Sequence, residues 1–150
     1  MLMKRYLLIL YVFTHLVSAC SDEVVVNMRD YGIVPDTEEN MSSRIQMALT
    51  AIRKETEGKR VTLIFEKGRY DFHADGAVLK EYYISNHDQP NPKSVGIALE
   101  DWNNLTLDGS GADFYFYGRM LPMSLVRSEN TVLKNFSIDF AEPHITQVEV

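Results

Sequence analysis

GIALEDWNNLTLDGSGADFYF (residues 96–116) and PMSLVRSENTVLKNFSIDFAE (residues 122–142) are two similar segments of the chain. A shift of 26 residues aligns them at five positions. The matched pairs are Leu99 with Leu125, Asn104 with Asn130, Leu107 with Leu133, Asp113 with Asp139, and Phe114 with Phe140. Short β-prone runs at this period are typical of a solenoid, in which each coil buries its inward side chains by stacking on its neighbours. The two asparagines are expected at equivalent corners, because Asn tolerates a left-handed backbone.

Upstream of the repeat, the sequence predicts one amphipathic helix over residues 41–56. Its apolar stripe recurs at three- and four-residue steps, with Asn40 as a good N-cap and Gly58 as a stop signal. The stripe consists of Met41, Ile45, Ala48, Leu49 and Ile52. A solenoid needs a cover over its first coil, and this helix would supply it.

The rest of the chain alternates with a period of two, which indicates strands. We predict strands at 24–28, 61–65, around 68–70, 96–99, 104–107, 113–117, 124–126, 131–133, 136–140 and 145–150, with a polar loop at 74–95. The fold class is therefore mainly β: a parallel solenoid with an N-terminal capping helix. An antiparallel sandwich would also give short strands with turns, and the repeat together with the helix favours the solenoid.

The N-terminus has the pattern of an export signal rather than of a folded segment. Lys4 and Arg5 precede an apolar run over residues 6–17, which is shorter than the ~20 residues of a membrane span. Residues 17–20 (VSAC) resemble a bacterial lipobox, so we predict a signal peptide at 1–19, a lipidated Cys20 and an acidic tether at 20–23. The protein would then be an outer-membrane or cell-surface lipoprotein, and otherwise periplasmic. Plain secretion with an incidental Cys20 is the alternative.

The composition excludes several classes of protein. With 15 Lys and Arg against 21 Asp and Glu, the formal net charge is −6, which argues against a nucleic-acid partner. The single cysteine excludes an intramolecular disulfide framework and disfavours a cysteine-based zinc site.

Four longer runs carry a resemblance to a known family. They are GRYDFHADGA (68–77), EYYISNHDQPNPKSVGIALED (81–101), NLTLDGSGADFYF (104–116) and YGRMLPMSLVRSENTVLKNFSIDFAEPHITQ (117–147). Together these runs resemble the α-1,3-galactosidases of glycoside hydrolase family 110. The resemblance implies a right-handed parallel β-helix and exo-hydrolysis of terminal α-1,3-linked galactose, in blood group B and linear Galα1-3Gal glycans. It also implies inversion at the anomeric carbon, with no metal or cofactor.

The resemblance further implies that this chain is one portion of the enzyme, because members of the family are several times longer. Residues 24–150 would form the cap and first coils of an incomplete β-helix. We expect the catalytic carboxylates C-terminal to Val150, so the catalytic residues are not assigned here, and residues 20–150 alone are expected to be inactive.

Asp139, Glu142 and His144 are the candidate substrate-binding residues. They fall within six residues near the end of a predicted strand, and carboxylates and imidazoles bind sugar hydroxyls well. A polar corner between coils is the alternative, and a second candidate is the loop that contains Tyr82, Tyr83, His87 and Asp88. We expect a structural role for His73, packing for Trp102, and surface ion pairs for Arg119 and Arg127. The rival functions are a polysaccharide lyase and a non-catalytic glycan-binding module.

Overall fold

The computed structural model describes residues 22–83 and 91–142. The signal segment 1–19, Cys20, His87, Asp88, His144 and the strand predicted at 145–150 lie outside the described residues. The helices are a 3-10 turn at Met28–Tyr31 and α1 at Ser42–Glu55. The strands are β1 Glu23–Asn27, β2 Arg60–Ile64, β3 Gly68–His73, β4 Val78–Lys80, β5 Lys93–Glu100, β6 Leu105–Tyr117, β7 Leu121–Val126 and β8 Val132–Phe140. The fold is thus mainly β with one α-helix, as predicted.

Parallel pairing dominates the two sheets of the described chain. In the first sheet, β1, β2 and β6 run side by side, β3 pairs with the second half of β6, and β8 pairs along β6. In the second sheet, β5 pairs in parallel with β7 and antiparallel with β4. Neither sheet closes on itself. The sandwich alternative required antiparallel strands throughout, and these pairings do not support it.

The predicted offset of 26 residues between matching positions holds for one half of each segment and fails for the other half. Leu99 pairs with Leu125 and Leu107 with Leu133, whereas Asp113 pairs with Ser137 rather than with Asp139. The predicted matches of Asp113 and Phe114 are therefore wrong by two residues. The cause is the corner, because residues 109–111 bend β6 whereas a single residue, Asn135 with φ 61°, bends β8. Each bend also joins what we predicted as two separate strands.

The core lies between α1 and the inward rows of both sheets. The apolar stripe of α1 is buried as predicted, with Ile45 and Ile52 at 0% exposure. The start of α1 is tied to β3, since the Asn40 Oδ1 accepts hydrogen bonds from the backbone N–H groups of Ser42 (2.9 Å) and His73 (3.1 Å). The other buried side chains include Leu63, Phe65, Tyr70, Phe72, Ile97, Leu99, Leu107, Phe114 and Phe116.

The segment predicted as a polar loop at 74–95 contains β4 and the start of β5. Near the end of β4, two side chains bind the Glu100 carboxylate at the end of β5. The Tyr82 hydroxyl donates a hydrogen bond to it at 2.7 Å, and the Lys80 ammonium pairs with it at 2.6 Å. The hydrogen bond from Lys80 lowers the pKa of Glu100 below its usual range. With only three residues, Val78–Lys80, β4 is too short to show the alternating pattern that predicts a strand.

Within residues 22–83 and 91–142, no helix has the length and apolarity needed to cross a bilayer.

Candidate functional site

The candidate site lies on the outward side of β3, β6 and β8. Successive side chains of a strand point to opposite faces, and the inward positions here are buried aromatics such as Phe72 and Phe114. We call the opposite side the outer face. Its positions are Arg69, Asp71, His73, Asp113, Tyr115, Tyr117, Ser137 and Asp139.

A cleft of about 380 Å³ opens on the outer face. It is lined by Asp36, Glu38, Arg69, Asp71, His73 and Tyr117. The segment that precedes α1 forms one wall of the cleft, because Asp36 is fastened to β3. The Asp36 N–H donates to the Arg69 carbonyl at 2.8 Å, and the Asp36 Oδ1 accepts from the Arg69 N–H at 2.9 Å.

Arg69 organises the floor of the cleft. Its guanidinium pairs with the buried Asp71 carboxylate at 2.8 Å, donates a hydrogen bond to the Tyr117 hydroxyl, and lies 4.1 Å from the centre of the Tyr115 ring. The hydrogen bond to Asp71 raises the pKa of Arg69. Contact between a guanidinium and an aromatic face is favourable, so this network holds both tyrosine rings in place.

His73 and Tyr117 stack against each other across β3 and β6. Their ring centres are 4.3 Å apart and their planes differ by 7°. Burial raises the pKa of Tyr117 above its ordinary value, so its hydroxyl stays protonated at neutral pH. Chemically, the cleft offers carboxylate acceptors, a cationic donor, an imidazole and a phenol, which is a set that binds hydroxyl groups.

Of the predicted substrate-binding residues, Asp139 lies on the outer face, paired in register with Tyr115. It is exposed, and one of its carboxylate oxygens accepts a hydrogen bond from the Phe140 N–H at 2.8 Å. Glu142 is exposed beyond the end of β8 and does not line the cleft. His144 lies outside the described residues, so the three-residue cluster stays a prediction.

Other predicted roles can be compared with the structure. Trp102 is packed in the core at 4% exposure, as expected. Arg127 pairs with Asp101 at 2.5 Å, the surface ion pair that we expected. His73 is the last residue of β3, and its ring both stacks on Tyr117 and lines the cleft, so its structural role stays a prediction. Tyr82 is engaged with Glu100, whereas Tyr83 is 90% exposed.

The sequence reasoning missed most of the cleft. Arg69, Tyr115 and Tyr117 were not singled out, although they alternate with buried aromatics along β3 and β6. That alternation was the available signal, since it places a polar and aromatic row on the outer face. Asp36 and Glu38 gave no such signal.

No metal-binding arrangement is found in the described part of the chain. There, no three or more His, Cys, Asp or Glu side chains are grouped closely enough to hold an ion.

Comparison with known proteins gives the relationships of the chain. No family model matches it. It is 62% identical to "Alpha-1,3-galactosidase B" of Phocaeicola vulgatus over 89% of this chain and 22% of that protein. It is 54% identical to the protein of the same name from Bacteroides fragilis, over 87% of this chain and 22% of that protein. "Alpha-1,3-galactosidase A" of Bacteroides fragilis is 34% identical over 98% of this chain and 25% of that protein.

These similarities confirm the resemblance to alpha-1,3-galactosidases that the sequence runs indicated. The chain spans between a fifth and a quarter of the length of these three relatives. Over most of its own length, it is similar to one portion of proteins named alpha-1,3-galactosidase.

Proposed function

We propose that this chain is the N-terminal part of an exo-acting α-1,3-galactosidase, which releases terminal α-1,3-linked galactose with inversion. The observation that carries the proposal is the 62% identity to a protein of that name over 89% of the chain. The substrates would be blood group B and linear Galα1-3Gal glycans.

We also propose that the chain forms the cap and first coils of a right-handed parallel β-helix. The order of the strands supports this. Three strands that come first in the chain pair in parallel with three later ones, in the same order. The first half of β6 pairs with β2, the second half of β6 pairs with β3, and β7 pairs with β5. Between β1 and β2, the helix α1 takes the place in the order of elements that β5 takes before β6, and it packs against β5. The right hand is the one taken by about 98% of parallel crossover connections.

The reaction itself needs residues outside this chain. An inverting glycosidase uses a carboxylic acid and a carboxylate about 6.5–9.5 Å apart, with room for a water molecule between them. We assign no such pair within the described residues and expect both groups beyond Val150. In this proposal, the chain stacks beneath the coils that carry them.

The test uses the protein at its natural length, with Galα1-3Gal as substrate. We expect galactose release, with β-galactose as the first product seen by proton NMR. Release of α-galactose first would contradict inversion, and no release would contradict the activity. Residues 20–150 alone serve as the comparison and should release no galactose.

We further propose that Cys20 carries a lipid and anchors the protein to the outer membrane. The support is the lipobox-like sequence at 17–20, followed by acidic residues. Growth with an alkyne-tagged fatty acid should label the wild-type protein in a membrane fraction. The Cys20→Ser variant should be neither labelled nor membrane-bound. Equal labelling of both proteins would contradict the proposal.

A further inference from the structure

The outer-face cleft is lined by carboxylate, guanidinium, imidazole and phenol groups and has the volume of a small-ligand pocket. We propose that it is a subsite for one neutral hexose unit of a glycan. The proposal rests on the proposed function only for the choice of galactose as the probe sugar.

The size of the cleft fits a small ligand. At about 380 Å³, it falls at the lower end of the range of about 300–1,000 Å³ typical of ligand pockets. A pocket of this size accommodates a single sugar ring rather than a long oligosaccharide. The remainder of a glycan would then extend along the outer face, where Tyr115 and Asp139 lie in adjacent strands.

Several polar groups in the cleft have unused hydrogen-bonding capacity. Within the described residues, the Glu38 carboxylate has no hydrogen-bond or ion-pair partner, and neither ring nitrogen of His73 is hydrogen-bonded. The hydroxyls of a sugar can both donate to a carboxylate and accept from an imidazole or a guanidinium. Hydrogen bonds to charged groups contribute more than neutral ones.

The aromatic pair supplies a second element of sugar recognition. The stacked rings of His73 and Tyr117 line the same cleft as the unpartnered Glu38 carboxylate. Tyrosine combines an apolar ring with a polar hydroxyl, which matches a pyranose with one apolar face and hydroxyls around its edge. Arg69 holds Tyr117 by its hydroxyl, so the ring is positioned before a ligand arrives.

The charge of the cleft selects among sugars. The guanidinium of Arg69 is matched by Asp71, whereas Asp36 and Glu38 form no ion pair in the described part of the chain. The cleft therefore holds two uncompensated negative charges. Like charges repel at short range, so uronic acids and sulfated sugars are disfavoured, whereas a neutral hexose is not.

The experiment measures binding of methyl β-galactoside, a glycoside whose linkage an α-galactosidase does not cleave. Isothermal titration calorimetry is performed on the protein at its natural length. We expect Tyr117→Ala and Glu38→Gln each to weaken the affinity about tenfold. Leu79→Ala, a change at an exposed apolar residue of β4 that does not line the cleft, and Glu129→Gln, a change at an exposed glutamate, are the controls and should not change the affinity.

A second probe, methyl β-galacturonide, tests the charge argument. It should bind at least tenfold more weakly than methyl β-galactoside to the wild-type protein. Glu38→Gln should reduce the difference in affinity between the two glycosides, an effect that a purely structural role of Glu38 would not produce. Equal or tighter binding of the uronide by the wild-type protein would overturn the choice of a neutral sugar.

Hydrolysis of Galα1-3Gal by the same variants separates this inference from the proposed function. If the protein releases galactose but galactoside binding is undetectable or is the same in all cleft variants, the subsite proposal is contradicted and the proposed activity is supported. If galactoside binding depends on Glu38 and Tyr117 but the protein releases no galactose, the subsite proposal is supported and the proposed activity is contradicted.

Discussion

The two ends of the stacked sheets differ in how completely they bury the same kind of residue. Next to α1, Leu99 in β5 has 0% exposure, while its partner in the repeat, Leu125 in β7, is 47% exposed. The same contrast separates Leu107, fully buried in β6, from Leu133, half-buried in β8. The residues and their strand positions are alike, and the neighbours differ.

The difference shows that the neighbouring elements, rather than the type of residue, determine how completely a side chain is buried in this fold. An inward leucine becomes fully buried only when side chains cover it from both adjacent strands, or from a strand and α1. Since the hydrophobic free energy scales with the area removed from water, α1 stabilises the strands that it covers. At the other end, Leu125 of β7 and Ile138 of β8 are 47% and 42% exposed.

The largest expected effect comes from truncating the paired leucines. Leu99→Ala should lower the free energy of unfolding by about 2–5 kcal/mol, because it leaves a cavity in a filled core. Leu125→Ala should cost about 1 kcal/mol or less in the same chain, since solvent already reaches that side chain. Urea unfolding followed by circular dichroism measures both.

Repeating the leucine pair in the protein at its natural length sharpens the comparison. If further coils cover β7, the cost of Leu125→Ala should rise toward that of Leu99→Ala. If Leu99→Ala and Leu125→Ala lower the free energy of unfolding equally in this chain, neighbouring elements do not determine burial.

The next effect concerns the corner where β8 packs on β6. A Cβ added to Gly109 would lie 2.5 Å from the Phe136 Cβ and 2.7 Å from the Asn135 carbonyl oxygen. Gly109→Ala should therefore destabilise the protein by about 1–3 kcal/mol through overpacking, with loss of protection from hydrogen exchange concentrated in β8. Gly58→Ala is the control, because nothing lies within 4 Å of its added Cβ and only the strain of φ 76° remains. Loss of protection spread evenly over all strands would contradict this assignment.

The smallest effect is a pH dependence at the same corner. Hydrogen bonds from Asn135 and from the Ser110 N–H, with the nearby Lys134, lower the pKa of Asp108 from 3.8 to about 2. A carboxyl whose pKa is lower in the folded state stabilises the fold above its unfolded pKa and loses that contribution as the pH falls toward the folded one. Between pH 6 and pH 3, wild-type protein should lose about 1 kcal/mol more than Asp108→Asn.

Urea unfolding at the two pH values measures the Asp108 effect, and Asp75→Asn, a change at an exposed carboxylate, is the control. A pH response of Asp108→Asn equal to that of the wild type would show that Asp108 does not hold β8 in place.

Local sequence patterns predicted the elements well, for reasons that act over a few residues. The helical stripe of α1 and the inward rows of β2 and β6 follow from periodicity alone, whereas the N-cap of α1 is Met41 rather than the predicted Asn40. The asparagine corners also follow from local preference. Asn104 and Asn130 have φ of 57° and 51°, and the Asn130 amide donates to the Asn104 side-chain oxygen at 3.2 Å.

Register and the cleft were decided by the tertiary structure. The corner of β8 is two residues shorter than that of β6, which moves Ser137 rather than Asp139 beside Asp113, and no local pattern reveals such a change. The cleft joins Glu38, Arg69 and Tyr117, which are far apart in sequence. Alternation determines which side chains face outward, but the lengths of the turns between strands determine which of them become neighbours.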